Sequence, residues 1–326
     1  MSELALAAFA AARNAHLVDV PRDRAYERFA RTFDAPAYLR RLEESGVTWL
    51  ARSDTRFPPL LAAIHDPPPG LFVRGAAGDS ALHGPTVAVV GARACSPYGA
   101  QVARMLGRDL AAAGLVVVSG LARGVDGEAH RGALEAGGTT VAVLGCGIDR
   151  DYPAAHAELA ARIRASGSTV SEYAPRVEPA PWRFPARNRI IAGLSAVTIV
   201  VEARERSGAL ITADLALEEG REVFAVPGEI TSALSSDTNE LLRLGATPML
   251  GSGDVLEVFG VAGPEPEAVD LSSTADVVLT RLRDGPTSAD ELVRSTGLEP
   301  AAVASALTEL ELAGCAIAAG GVYRAN

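Results

Sequence analysis

The sequence predicts an α/β protein: an extended Rossmann-like, doubly wound and mostly parallel sheet, with a small helical module before it and a winged-helix domain after it. Three observations carry this prediction. Short, wholly apolar runs recur between residues 86 and 250, and segments of helical length separate them. Strands of that kind are buried on both faces, which is the habit of parallel sheets covered by helices. The loop at the carboxyl end of each run carries glycine, small hydroxyl residues or arginine. Beyond residue 260 the pattern stops at a stretch of glycine, proline and glutamate, and three helical signals and one hairpin signal follow it.

The elements follow in order. Residues 1–55 read as short helices, with apolar sets at Leu4, Ala8, Ala11 and Ala12, at Tyr26, Phe29, Ala30 and Phe33, and at Tyr38, Leu39, Leu42 and Val47. Pro21 and Pro36 punctuate them. From Arg56 to Gly75 the proline density forbids a single helix and predicts an extended arm packed on the next domain. Strands are expected at Val87–Val90, Leu115–Val118, Thr139–Leu144, Ser168–Ser171, Ala196–Val201, Val223–Val226 and Pro248–Leu250. Helices are expected around Val102–Leu110 and over Val125–Ala136, Ala154–Ser166, Gly208–Glu219 and Asn239–Leu244, with right-handed connections. This Rossmann-like domain spans 56–260 and a linker spans 261–274. The winged helix, 275–326, reads as helices over Ala275–Arg283, Ser288–Ser295 and Pro300–Ala313 followed by a hairpin around Gly320-Gly321.

Composition narrows the function. No run of 18 apolar residues is present, so no membrane span is expected. The N-terminus carries Glu3 and lacks a basic start, so a signal peptide is not expected, and a cytoplasmic location is. Cys95, Cys146 and Cys315 are too scattered for a disulfide framework or a metal cluster. The net charge is −10, yet every strong cation is an arginine, because the chain contains no lysine. Arginine's planar fork matches phosphate oxygens, so a few of them in one cleft can hold an anionic backbone despite the negative total.

Ligands of an open α/β sheet bind beyond the carboxyl ends of its strands. The loops there contain Gly91-Ala92-Arg93, Ser119-Gly120-Leu121-Ala122-Arg123-Gly124, Gly145-Cys146-Gly147 with Arg150 and Tyr152, Glu172-Tyr173, Phe184-Pro185-Ala186-Arg187-Asn188-Arg189, and Arg204 to Gly208. Arginines 93, 123, 187, 189, 204 and 206 are thereby expected along one rim, beside glycine-rich turns whose N–H groups can face phosphates. Tyr152 could stack a base or simply pack its loop. Other chemistries lack their marks: no GxGxxG, no GxxxxGK[ST] and no GxSxG is present. Asp126 and His130 can share one helix face, where a structural hydrogen bond is the expected role.

These blocks resemble the DprA/Smf DNA-processing family. The resemblance runs in order through Val89–Arg93, Ser119–His130, Gly145–Asp149 with Tyr152-Pro153, Ser171–Tyr173, Phe184–Leu194, Glu202-Ala203, Ser207–Thr212 and Ala225–Gly228, over about residues 56–260. It implies a non-enzymatic protein, without cofactor or metal, that binds and protects incoming single-stranded DNA, forms a homodimer and loads the RecA recombinase in natural transformation and recombination. It implies an N-terminal module of the SAM or helix-hairpin-helix kind and, in many members, a C-terminal winged helix. Carried over by position, Arg93, Arg187 and Arg189 become phosphate ligands. Gly91, Ser119, Gly120, Gly124, Ser171, Asn188, Ser207, Gly208 and Thr212 become pocket-lining groups, and Arg123 joins the DNA-binding set.

Two departures stand out. Ala154-Ala155 replaces the basic residues often found after the Tyr-Pro pair, so Arg150 is expected to supply that contact. Asp237 stands where a glycine is common, within the region implied to form the dimer surface, here Asn239, Leu241, Leu242 and Leu244. An alternative on a similar scaffold is a nucleotide-binding hydrolase or phosphoribohydrolase, for which Glu172 and Glu202 are the candidate catalytic acids. The C-terminal segment has 4 arginines against 10 acids, a balance that suits protein contacts or regulation better than duplex phosphates.

Overall fold

A computed structural model describes residues 2–13, 15, 23–205, 207–261 and 271–325. Pro21, Arg206 and most of the expected linker lie outside them. The chain divides into two compact units, 1–264 and 265–326.

The first unit opens with helices α1 (Ser2–Arg13), α2 (Arg24–Thr32) and α3 (Ala35–Glu44). Asp23 and Asp34 cap the latter two by accepting hydrogen bonds from first-turn N–H groups. Next come β1 (Val47–Ala51), the short α4 (Pro59–Ala62) and β2 (Gly70–Arg74). The Rossmann-like series follows: β3 (Thr86–Val90), α5 (Pro97–Ala112), β4 (Val116–Ser119), α6 (Val125–Glu135), β5 (Thr140–Val143), α7 (Ala157–Ser166), β6 (Ser168–Ser171), α8 (Arg183–Leu194), β7 (Val197–Val200), α9 (Gly208–Glu218), β8 (Glu222–Ala225), α10 (Ser236–Arg243), β9 (Thr247–Pro248) and α11 (Ser252–Val258).

The strands form one sheet in the order β1-β2-β6-β5-β4-β3-β7-β8-β9. From β6 to β9 all pairs are parallel, whereas β1 and β2 pair antiparallel at the end beside β6. The order reverses between β3 and β7, which is where such sheets open a crevice. One face packs on α8 and α9 through Val90, Val118, Val143, Ile190, Ile191 and Ala213. The other is covered in two parts. The N-terminal helices and α7 lie over Phe72, Ala142 and Leu144, while α5, α6 and α11 lie over Val87, Val89 and Val117.

Three expectations change here. The module expected over 1–55 is not separate: Val47–Ala51 forms β1, in register with β2 from Val47↔Arg74 to Ala51↔Gly70. Within the arm expected over 56–75, Gly70–Arg74 is a strand of the main sheet. Residues 183–194, read above as a loop motif, form α8. Pro185 hides this helix in the sequence but falls in its first turn, where a missing N–H costs nothing.

The second unit contains α12 (Ser273–Arg283), β10 (Thr287–Ser288), α13 (Ala289–Thr296), α14 (Pro300–Leu312), β11 (Ala316–Ala319) and β12 (Val322–Ala325). Its three-stranded antiparallel sheet has the order β10-β12-β11. Val278, Leu282, Leu292, Val303, Leu307 and Leu310 form its core. Ser272 and Ser288 cap α12 and α13.

Candidate nucleic-acid interface

Two clefts open along the carboxyl rim of the main sheet. The first, about 470 Å³, lies at the reversal between β3 and β7 and is lined by Gly91, Arg93, Asp126, Arg187, Asn188, Arg204, Ser207, Gly208 and Thr212, among others. The second, about 450 Å³, is lined by Arg93, Gly120, Ala122, Arg123, Tyr152, Pro153, Phe184 and Arg187. Arg93, Ala94, Ala122 and Arg187 line both, so the clefts join into one groove.

Arg187 organises the floor. It is 3% exposed and donates from Nη1 to the carbonyl oxygens of Gly120 and Val143, at the ends of β4 and β5. Burial lowers its pKa to about 10, with the Asp126 carboxylate opposing the shift, so it stays cationic at neutral pH. Asp126 is itself buried and accepts hydrogen bonds from the N–H groups of Gly120 (3.1 Å) and Ala122 (3.2 Å). Burial raises its pKa above the ordinary value. This pair holds the turn after β4 in a conformation that includes Leu121 at φ +59° and Gly124 at φ +72°. A Cβ on Gly124 would meet the Ala92 oxygen at 2.2 Å, so glycine lets the turn close against the Arg93 loop.

The walls carry the charge. Arg93, Arg123 and Arg204 are exposed and, among the described residues, form no ion pair. Arg93 lies over the Phe184 ring (5.4 Å to the centroid), and Phe184 stacks on Tyr152 with centroids 5.3 Å apart. At the far wall the N-terminus of α9 opens on the first cleft, with Ser207 as its N-cap. Asn188 donates to the Gly208 oxygen (3.0 Å) and ties α8 to that turn. Cation, flat ring and amide-rich turn in one groove suit an anionic chain that carries planar bases.

A family model described as DNA recombination-mediator protein A matches residues 48–260, and one described as the DprA winged helix domain matches 262–321. This chain belongs to the DprA/Smf family. It is 40% identical over 307 residues to Protein Smf of Escherichia coli, covering 88% of this chain and 82% of that one. It is 46% identical over 206 residues to the DNA processing protein DprA of Streptococcus pneumoniae, covering 63% and 72%. The X-ray structure of the Streptococcus pneumoniae DprA superposes with a TM-score of 0.66 at 38% identity, covering 79% of this chain and 93% of that one. A structure of DNA processing protein A from Helicobacter pylori, described in terms of its single-stranded DNA binding mode, gives 0.59 at 32% identity, covering 65% and 95%.

Within this DprA fold the expected site residues separate. Gly91, Arg93, Gly120, Arg123, Arg187, Asn188, Ser207, Gly208 and Thr212 line the groove, and Gly124 shapes its turn. Ser119 and Ser171 do not line it. Both are fully buried and donate inward, Ser119 to the Val89 oxygen (2.6 Å) and Ser171 to the Cys146 oxygen (2.7 Å). Arg189, expected as a phosphate ligand, lines neither cleft, and its guanidinium is held by Glu172 and Asp66. Arg150 pairs with Glu178 at 2.6 Å, which offsets its charge.

The candidate catalytic acids are likewise engaged. Glu172 is fully buried against Arg189, and Glu202 caps α5 by accepting from the N–H and the hydroxyl of Ser96. Asp126 and His130 do not meet; His130 bonds to Thr140 instead. At the expected dimer surface, Asn239 bonds to the backbone of Gly228 and Leu241 is buried, whereas Leu242 is half-buried and Leu244 is 76% exposed. Phe184 is a groove residue that motif reading alone does not single out; its signal in the sequence is an aromatic residue three positions before an arginine at the strand rim.

Proposed function

We propose that this chain binds single-stranded DNA along the joined groove, protects it, and delivers it to the RecA recombinase. One observation carries the reading: three arginines that form no ion pair among the described residues (Arg93, Arg123 and Arg204) flank a stacked Tyr152–Phe184 pair in a continuous groove. The arginines neutralise phosphates, so affinity falls with salt, and the ring pair receives a base of any identity. Unstacking a single strand costs less than opening a duplex, so the groove prefers single strands. The Helicobacter pylori relative, with its described single-stranded DNA binding mode, supports the reading at 32% identity. A mobility-shift titration of single against double strands at two salt concentrations tests it. Equal affinity for both forms, or loss of the salt dependence, would overturn it.

RecA delivery and self-association are the finer parts. Leu244, Ile230 and Leu250 are exposed apolar side chains near the β8–β9 end of the sheet, and a second copy of the chain would cover them. Sedimentation of Leu244→Asp beside the native chain reads the second part, and RecA-promoted strand exchange on strands pre-coated with a second single-strand-binding protein reads the first.

A further inference from the structure

We infer that Trp182 is an additional base-stacking site that extends the groove past Phe184 towards the β6 side of the sheet. The inference rests on the single-stranded DNA reading above and deepens it. The chain has two tryptophans. Trp49 packs against Phe72 with ring centroids 4.5 Å apart. Trp182 stands at the N-cap of α8 and is 42% exposed, close to the 45% of Tyr152 on the groove.

The position of Trp182 is built. Arg183 is fully buried, and its guanidinium sits in the corner formed by two rings, 4.6 Å from the centroid of Trp182 and 5.2 Å from that of Tyr173. Arg183 also donates to the Glu178 oxygen. Tyr173, 3% exposed, meets Trp182 edge-on at 6.5 Å and 85°. A cation against one side of the indole and a ring at its edge fix the plane of an exposed aromatic surface. Burying an arginine is costly, and an interior use of Trp182 would not leave so much of it in solvent.

Its place along the rim fits a strand's path. The first cleft lies at the ends of β3 and β7. Arg187 reaches the ends of β4 and β5, and Phe184 sits over Gly145, just past β5. Tyr173, against which the Arg183–Trp182 pair is set, follows the end of β6. Successive strand ends thus present phosphate ligands, then the Tyr152–Phe184 pair, then Trp182. The ligand at Trp182 is a nucleobase of either class, because stacking uses only the ring face.

Trp49→Phe leaves Trp182 as the sole tryptophan of the full chain and makes it a direct reporter. Oligothymidylates from about 4 to about 16 nucleotides are titrated against this variant, the length range over which single-strand sites are usually filled. Emission from Trp182 should be quenched saturably by the long oligomers and not by the shortest. Trp182→Ala should weaken the long oligomers about ten-fold, the order expected for one stacked base, and leave the shortest unchanged. Trp182→Phe should recover most of the loss, and thermal melts should show both variants folded. Unchanged emission on a fully bound long oligomer overturns the inference. Arg93→Ala, run in parallel, separates the two failures. If it binds as tightly as the native chain, the groove reading itself is wrong; if it binds weakly while Trp182 stays silent, only the extra stacking site is.

Discussion

The guanidinium of Arg189 and the carboxylate of Glu172 meet fork to fork, Nη1 to Oε1 at 2.9 Å and Nη2 to Oε2 at 2.7 Å, with Glu172 fully buried. Arg189 further donates from Nε to the carbonyl and carboxylate oxygens of Asp66. The pair fastens α8 to the end of β6 and to the segment before β2. Arg189→Ala leaves a buried carboxylate without its cation, and the expected cost is about 3–5 kcal/mol. Denaturant unfolding measures it. Arg189→Ala combined with Glu172→Ala should cost less than the two single changes added together. If Arg189→Ala instead keeps full stability and loses only DNA affinity, the pair is not what holds α8.

Arg93, Arg123 and Arg204 face the groove and form no ion pair among the described residues, so their removal acts on binding and not on folding. Each change to alanine should weaken all strand sequences alike and reduce the slope of log affinity against log salt by about 0.7. Fluorescence anisotropy across a salt series gives both quantities. Arg150→Ala should alter the slope less, because Glu178 already offsets that charge.

Gly124→Ala tests the turn that joins the Arg93 and Arg123 loops. At φ +72° the added Cβ is strained and meets the Ala92 oxygen at 2.2 Å. The expected cost is about 1–3 kcal/mol of stability, together with weaker strand binding as the two loops separate. Gly137→Ala shares the positive φ but has open space around it, so it should leave binding untouched.

His130 sets a pH dependence. Thr140 donates its hydroxyl proton to the Val117 oxygen, so its oxygen receives the proton on Nδ1 of His130 and leaves Nε2 bare and buried. Burial drives the imidazole pKa from 6.5 down to about 3. Between these values the unfolded chain binds the extra proton. The contribution to stability is therefore complete above pH 6.5 and drains as pH falls towards 3, by about 1.4 kcal/mol per unit. Denaturant midpoints at several pH values, compared with His130→Leu, isolate this share; parallel curves would refute it.

Legibility in the sequence followed physical range. The apolar runs marked most strands of the parallel series, because burial on both faces leaves Val, Ile, Leu, Phe and Ala dominant and admits polar residues chiefly as small hydroxyls that bond to neighbouring carbonyls, as Thr86, Ser119, Thr140 and Ser171 do. β1 escaped because Val47–Ala51 directly continues the helical spacing of α3 and pairs with a partner about twenty residues later. The arginines of the rim were all visible, but their fates were not. Whether a guanidinium meets solvent, as in Arg93, or a buried carboxylate, as in Arg189, depends on Asp66 and Glu172, which only the fold brings near. Ser119 and Ser171 misled for a related reason: a hydroxyl ending a strand can turn outward to a ligand or inward to a neighbouring carbonyl.

The antiparallel strand β2 has a practical consequence for anyone trimming the chain. It runs beside β6 with Phe72 opposite Ser171 and Arg74 opposite Thr169. A fragment beginning at Thr86 would strip that neighbour away, leave a row of bare amides along β6, and uncover Leu144 and Ile163, which the N-terminal helices help to shield. Such a raw border invites sticky edge-to-edge pairing. The smallest well-behaved recombinant form of the first unit should therefore keep its opening helices, even though the groove draws none of its lining from them.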